Sequence, residues 1–86
     1  MLKRLTIEKS VSDNRLDLKY IQMNGADIEL ICSYLNEHPE ITTLNLCNCN
    51  IDTESTKLLA TNKTLTSLDV SYNPFDNEGM LSLIHI

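Results

Sequence analysis

An internal repeat constrains this chain more than any other feature. The shift that carries Ile41 onto Leu65 also aligns Leu44 with Leu68, Leu46 with Val70, Ile51 with Phe75 and Leu59 with Leu83. At the same offset Thr42/Thr66, Asp52/Asp76 and Glu54/Glu78 are identical pairs. A second shift carries Leu16 onto Leu44, Leu18 onto Leu46, Met23 onto Ile51, Leu30 onto Leu58 and Ile31 onto Leu59. The second offset is longer than the first by about one helical turn. Repeats in this size range mark stacked units, each of which hides its apolar side only against a neighbour.

Each unit has one plan. It opens with a stretch that alternates polar and apolar residues: Arg15-Leu16-Asp17-Leu18-Lys19, Thr43-Leu44-Asn45-Leu46-Cys47 and Ser67-Leu68-Asp69-Val70-Ser71. Period-two alternation predicts a half-buried strand with leucine facing inward. Asx-containing turns follow at Met23-Asn24-Gly25, Cys49-Asn50-Ile51-Asp52 and Asn73-Pro74-Phe75-Asp76. A helical segment comes next. In the first unit Ile28, Ile31, Cys32 and Leu35 form one apolar stripe, and His38-Pro39 ends it, because a residue before proline disfavours the α region. The second helix is expected over roughly residues 54–61, a turn shorter, burying Leu58 and Leu59.

These residues resemble the leucine-rich-repeat family. Its L-x-x-L-x-L-x-x-N/C-x-L pattern reads here as Ile41-x-x-Leu44-x-Leu46-x-x-Cys49-x-Ile51 and Leu65-x-x-Leu68-x-Val70-x-x-Asn73-x-Phe75. Units of the lengths that separate Leu16 from Leu44 and Leu44 from Leu68, with a true helix, are most similar to the ribonuclease-inhibitor-like subfamily. The first unit departs from the pattern, with Ile21 at the Asn/Cys position and Asp13 at the leading leucine. The resemblance implies an α/β leucine-rich-repeat solenoid, a short horseshoe segment with parallel strands on the concave face and helices on the convex face. At the turn, an Asn amide can satisfy buried backbone groups where the chain leaves the strand, and a Cys thiol does so only weakly. Residues 1–14 are expected to form an N-terminal cap or half-repeat, and 15–40, 41–64 and 65–86 the repeats of a single domain.

The ends carry a further expectation. Leu5 to Lys9 and Arg15 to Lys19 flank Ser10-Val11-Ser12-Asp13-Asn14, which suggests a hairpin or degenerate half-repeat. One period beyond Leu68 falls at 92, past Ile86, so the strand at 67–71 is expected to have an open edge, and open edges template pairing with another chain.

Composition bounds the function. With 86 residues, 42% apolar, 22% charged and no tryptophan, the chain suits one small leucine- and isoleucine-based domain. Seven basic against twelve acidic residues give a net charge of −5, which argues against nucleic acid and against anionic membrane surfaces as partners. The charge is asymmetric, net +2 over residues 1–20 and net −7 over 21–86, which could steer head-to-tail association between copies. Neither a signal-peptide h-region nor an 18-residue apolar run occurs. Three cysteines, an odd number without CxxC spacing, point to free thiols in a reducing, cytoplasmic setting. The family resemblance adds the alternative of a bacterial effector delivered into a host cell.

In leucine-rich repeats the concave face commonly binds another protein. The outward strand positions form columns: Arg15, Thr43 and Ser67; Asp17, Asn45 and Asp69; Lys19, Cys47 and Ser71; Tyr20, Asn48 and Tyr72. Asp17, Lys19, Tyr20, Asn45, Asn48, Asp69, Ser71 and Tyr72 are the partner-binding candidates, with Asp69 and Tyr72 foremost because Tyr combines apolar area with a hydroxyl. A solvated face that binds nothing is the competing reading. So is a truncated or self-associating structural repeat segment, in which the open C-terminal edge makes a homo-oligomer.

Catalytic chemistry finds little support in the sequence. Asp52-x-Glu54 and Asp76-x-Glu78 suit helix N-caps and first-turn charges better than an acid/base pair. Cys47-x-Cys49 lacks zinc-knuckle spacing, and His38 and His85 are isolated. Cys32 is expected to pack as a small apolar residue, and Cys47 to be the one exposed thiol. Asn62-Lys63-Thr64 spells a glycosylation sequon that reads as chance in an unsecreted chain. No cofactor is implied, and a small thiol or metal enzyme is the remaining, weaker alternative.

Overall fold

The computed structural model describes residues 2–83. Along the chain these form α1 (Arg4–Lys9), β1 (Val11–Ser12), β2 (Arg15–Asp17), α2 (Gly25–Glu37), β3 (Thr43–Asn45), α3 (Thr53–Leu59), β4 (Ser67–Asp69) and α4 (Asn77–Ser82). The strands lie in one sheet in the order β1-β2-β3-β4, with β1 antiparallel to β2 and the other pairs parallel. Leu16 sits opposite Leu44, and Leu44 opposite Leu68. The two offsets of the internal repeat are therefore the strand register itself.

Alternation inside each strand sends one side chain into the core and its neighbours out. Leu16, Leu18, Leu44 and Leu46 are 1% exposed or less, and Ile28, Ile31, Leu35, Ile51 and Leu59 from the turn and helix layer close over them. Burying each such side chain contributes about 1.5–3 kcal/mol. The interior is thus a leucine spine between the sheet and the helices, each rung shared by two neighbouring units.

The helices begin where short polar side chains can cap them. Asn24 accepts from the Asp27 N–H while the Asp27 carboxylate accepts from the Asn24 N–H, a reciprocal capping box. Asp52 accepts from the Ser55 N–H at 2.8 Å and Asp76 from the Gly79 N–H at 3.1 Å. These bonds hold both carboxyls below the usual Asp range, the backbone N–H being the largest cause in each. The two Asp-x-Glu pairs are caps, with Glu54 and Glu78 in the first turns. α3 has seven residues against thirteen in α2, a larger shortening than one turn, and Leu58 is only half-buried. Where α3 and α4 pack, Gly79 is needed for space: a Cβ there would lie 2.8 Å from Thr56 Oγ1 and 3.0 Å from Phe75 Cβ.

The two ends differ. At the first, residues 4–9 form a helix rather than an arm of a hairpin, and only Val11–Ser12 pair with β2, across a turn in which Asp13 is left-handed (φ 56°). Leu2 and Ile7 are buried there, and the buried Asp27 carboxylate accepts the Leu2 N–H at 3.1 Å. At the other, Leu68 and Val70 are half-buried although their counterparts Leu44 and Leu46 are fully enclosed. Among the described residues nothing pairs with the outer edge of β4.

Candidate functional site

The expected columns hold in space for the strands: Arg15, Thr43 and Ser67 are paired in register, as are Asp17, Asn45 and Asp69. The second column has a structural task that sequence reasoning missed. Asp17 Oδ1 accepts the Lys19 N–H at 3.2 Å, Asn45 Oδ1 the Cys47 N–H at 2.9 Å, and Asp69 Oδ1 the Ser71 N–H at 3.0 Å. Each unit therefore leaves its strand through the same side-chain-to-backbone turn, the motif for which Asp and Asn are suited. This also ends the strands at Asp17, Asn45 and Asp69, short of the full alternating stretches.

Charge along that column changes from row to row. Lys19 Nζ lies 3.6 Å from Asp17 Oδ2, so the first row neutralises itself. Asp69 has no cationic partner among the described residues. Its carboxyl lies below the ordinary Asp range, held there first by the Ser71 hydroxyl at 2.6 Å and then by the Ser71 N–H. Ser71 is exposed, and Cys47, which precedes Asn48 in the middle row, is half-buried like Cys32 rather than the one exposed thiol.

Tyr20, Asn48 and Tyr72 share a conformation. Their φ angles are 66°, 53° and 59°, all left-handed. The chain turns sharply at this point in each unit, so that the Tyr20 N–H reaches the Cys47 carbonyl and the Asn48 N–H the Ser71 carbonyl, both at 2.9 Å. Asn tolerates that backbone, whereas a bulky Tyr is strained in it by roughly 1–3 kcal/mol. Yet Tyr20 is 65% exposed and Tyr72 87% exposed, so packing is not what requires an aromatic ring there. Strict alternation would put positions 20, 48 and 72 on the leucine face; the left-handed turn is what turns them outward, and nothing in a lone Tyr signals a positive φ.

Behind this face the turn residues work as their chemistry allows. Asn73 Oδ1 accepts the Cys49 and Ile51 N–H groups at 2.8 and 2.9 Å, and its amide donates to the carbonyls of Leu46, Val70 and Ser71. Cys49, fully buried at the equivalent place, has one S–H near the Leu18 and Cys47 carbonyls at 3.1 and 3.4 Å, and burial pushes its thiol pKa up. A raised pKa keeps a thiol protonated and unreactive. Among the described residues no group of three His, Cys, Asp or Glu side chains is placed to hold a metal ion. No helix in them is long and apolar enough to cross a membrane. His85 lies outside the described residues. The sequon is occupied by folding: Asn62 is buried, and its Oδ1 accepts from Thr64 and Leu65.

Comparison with known proteins agrees with this geometry. Residues 40–61 match one family model, Leucine Rich Repeat, and residues 61–83 match a second, also described as Leucine Rich repeat. The chain is 34% identical over 88 aligned positions to a mouse protein, NACHT, LRR and PYD domains-containing protein 4B of Mus musculus. That alignment takes in 94% of this chain and 10% of the mouse protein, so the chain spans about a tenth of that relative's length.

Proposed function

We propose that this chain, a leucine-rich-repeat protein, is a protein-interaction module whose partner seats on the exposed sheet face, with Tyr20 and Tyr72 as anchors and Asp69, in the row of Tyr72, as the charged contact. Leucine-rich-repeat domains generally mediate protein–protein interaction. The observation that carries the reading is the pair of exposed tyrosines held at left-handed positions where the middle unit has Asn48. Strain that packing does not require is retained where a side chain has another use. Tyr supplies rigid amphipathic area, the commonest kind of interface anchor. Asp17, Lys19, Asn45, Asn48 and Ser71 form the surrounding polar ground.

The fold performs no chemistry in this reading. The sheet sets the spacing of the anchors, and the shared core makes the face rigid before the partner arrives, which reduces the ordering cost of binding. The lengths of the units, each with a helix, favour the ribonuclease-inhibitor-like subfamily, and free thiols favour a reducing compartment.

The test replaces the anchors by the residue their own backbone prefers. Tyr20→Asn and Tyr72→Asn together are expected to leave the fold intact and abolish capture of the partner by covalent cross-linking in extracts, while Asn36→Ala on the helix side leaves capture unchanged. Equal capture by the tyrosine variant would remove this face from consideration.

A further inference from the structure

Neither space nor backbone conformation requires glycine at position 25. A Cβ there would meet nothing within 4 Å, unlike one at Gly79, and the residue is not left-handed. What distinguishes Gly25 is that it follows Asn24, in the one Asn-Gly pair of the chain. A missing Cβ leaves the glycine nitrogen open to close approach by the asparagine side chain before it. The Gly25 N–H donates no hydrogen bond among the described residues, and Asn24 and Gly25 are both exposed. Every other asparagine precedes a residue whose side chain crowds that approach or, at Asn73, a proline without an N–H.

Asn24 is tied to the first residues of the chain through one carboxylate. Asp27 Oδ2 accepts the Asn24 N–H at 3.0 Å, and Asp27 Oδ1 accepts the Leu2 N–H at 3.1 Å. In return the Asp27 N–H donates to Asn24 Oδ1 at 3.0 Å. Asp27 is only 4% exposed, and Leu2 N–H has no second acceptor among the described residues. The start of α2 and the docking of Leu2 therefore depend on the same side chain.

We propose that the Asn24–Gly25 peptide is a site of spontaneous covalent modification by water, and that its isoaspartate product releases Leu2 from α2. The deprotonated Gly25 nitrogen attacks Asn24 Cγ; the new N–Cγ bond forms, the Cγ–Nδ2 bond breaks, and the amide nitrogen leaves as ammonia with a proton from water. Water then opens the resulting five-membered imide at one of its two carbonyls. Opening at Cγ gives aspartate on an unaltered main chain. Opening at the former peptide carbonyl routes the main chain through Cβ and Cγ and leaves a free α-carboxylate. The chain is oxidised at no point, and water is the only reactant consumed. Aspartate at position 24 still accepts the Asp27 N–H and caps as well as asparagine. Isoaspartate places one more methylene between the residue 24 N–H and the helix, so the two halves of the capping box no longer meet Asp27 together. The capping box must open before the first attack, so fraying of the first turn of α2 sets the rate.

The experiment holds the intact, folded chain in mildly alkaline buffer and follows each asparagine by electron-transfer fragmentation, which separates aspartate from isoaspartate. Conversion is expected at Asn24 ahead of every other asparagine. Gly25→Ala, whose methyl group has room, is expected to keep the fold and slow the conversion by about tenfold or more. Equal rates in parent and Gly25→Ala would overturn the assignment. So would an Asn24 that converts in urea and stays intact in the folded chain. The isoaspartate form, separated by ion exchange, is then read by amide exchange at Leu2. Loss of the bond to Asp27 is expected to speed that amide by at least about tenfold over the parent. Asn24→Asp, which carries the same added charge on an unaltered main chain, is expected to stay within about twofold of the parent. An isoaspartate form in which Leu2 exchanges as slowly as in Asn24→Asp would show that the modification does not release Leu2.

Discussion

The middle and last units carry the same sequence plan and differ in what their leucines experience. Leu44 and Leu46 have no exposed surface, while Leu68 and Val70 keep part of theirs. Both pairs alternate identically along strands in direct register. Burial in this fold is thus a property of the junction between units, and a unit's own sequence supplies only half of it.

The largest expected effect separates these positions. Leu44→Ala should cost about 2–5 kcal/mol in urea unfolding, since a cavity opens between two units, and Leu68→Ala less than half as much. Equal losses would mean that the middle and last units enclose their leucines to the same degree. Next is the junction polar residue. Asn73→Ala strips acceptors from two N–H groups and a donor from three carbonyls and should cost about 2–3 kcal/mol, whereas Cys49→Ala, which removes one weak S–H donor, should cost nearer about 1 kcal/mol. Thermal denaturation of the two variants side by side measures the difference between an amide and a thiol at one structural position. Gly79→Ala should cost about 1–2 kcal/mol, because its methyl group must displace Thr56 and Phe75 at the α3–α4 contact.

The smallest effect is in pH. Asp52, Asp69 and Asp76 all have folded values below the ordinary 3.8, so each contributes stability above that value that is lost as pH falls through its folded one. Glu37 and Glu40 are likewise held below their ordinary 4.5, so melting temperature should be level from about pH 6 down to the ordinary Glu range and decline below it, less steeply in Asp52→Asn. A decline already under way at about pH 6 would contradict these three carboxylates and the two glutamates as its cause.

Much of this architecture was legible because parallel pairing between equal units turns a sequence offset directly into strand register. The caps at Asp52 and Asp76 and the contrast between Asn73 and Cys49 were legible for a similar reason: short polar side chains beside orphan backbone groups have few roles. What escaped was conformation without a compositional sign. Tyr20 and Tyr72 adopt a backbone that Tyr rarely adopts, and it is this left-handed turn rather than alternation that puts them outside. Asp17, Asn45 and Asp69 read as free surface groups, yet each closes a turn two residues ahead, which depends on where the strand stops. Arg4 to Lys9 carry Leu5 and Ile7 in a spacing that suits a strand, and the helix they form was decided by Ile7 packing into the core.

No unit of this fold closes its own core. Amide exchange in Leu44→Ala tests it most directly, read at Tyr20, whose N–H is bonded across the first junction, and at Asn48, bonded across the second. Shared leucines predict that one substitution in the middle unit speeds both amides by similar factors. Acceleration confined to one junction, with the other as slow as in the parent chain, would show units that stand alone and would contradict the claim.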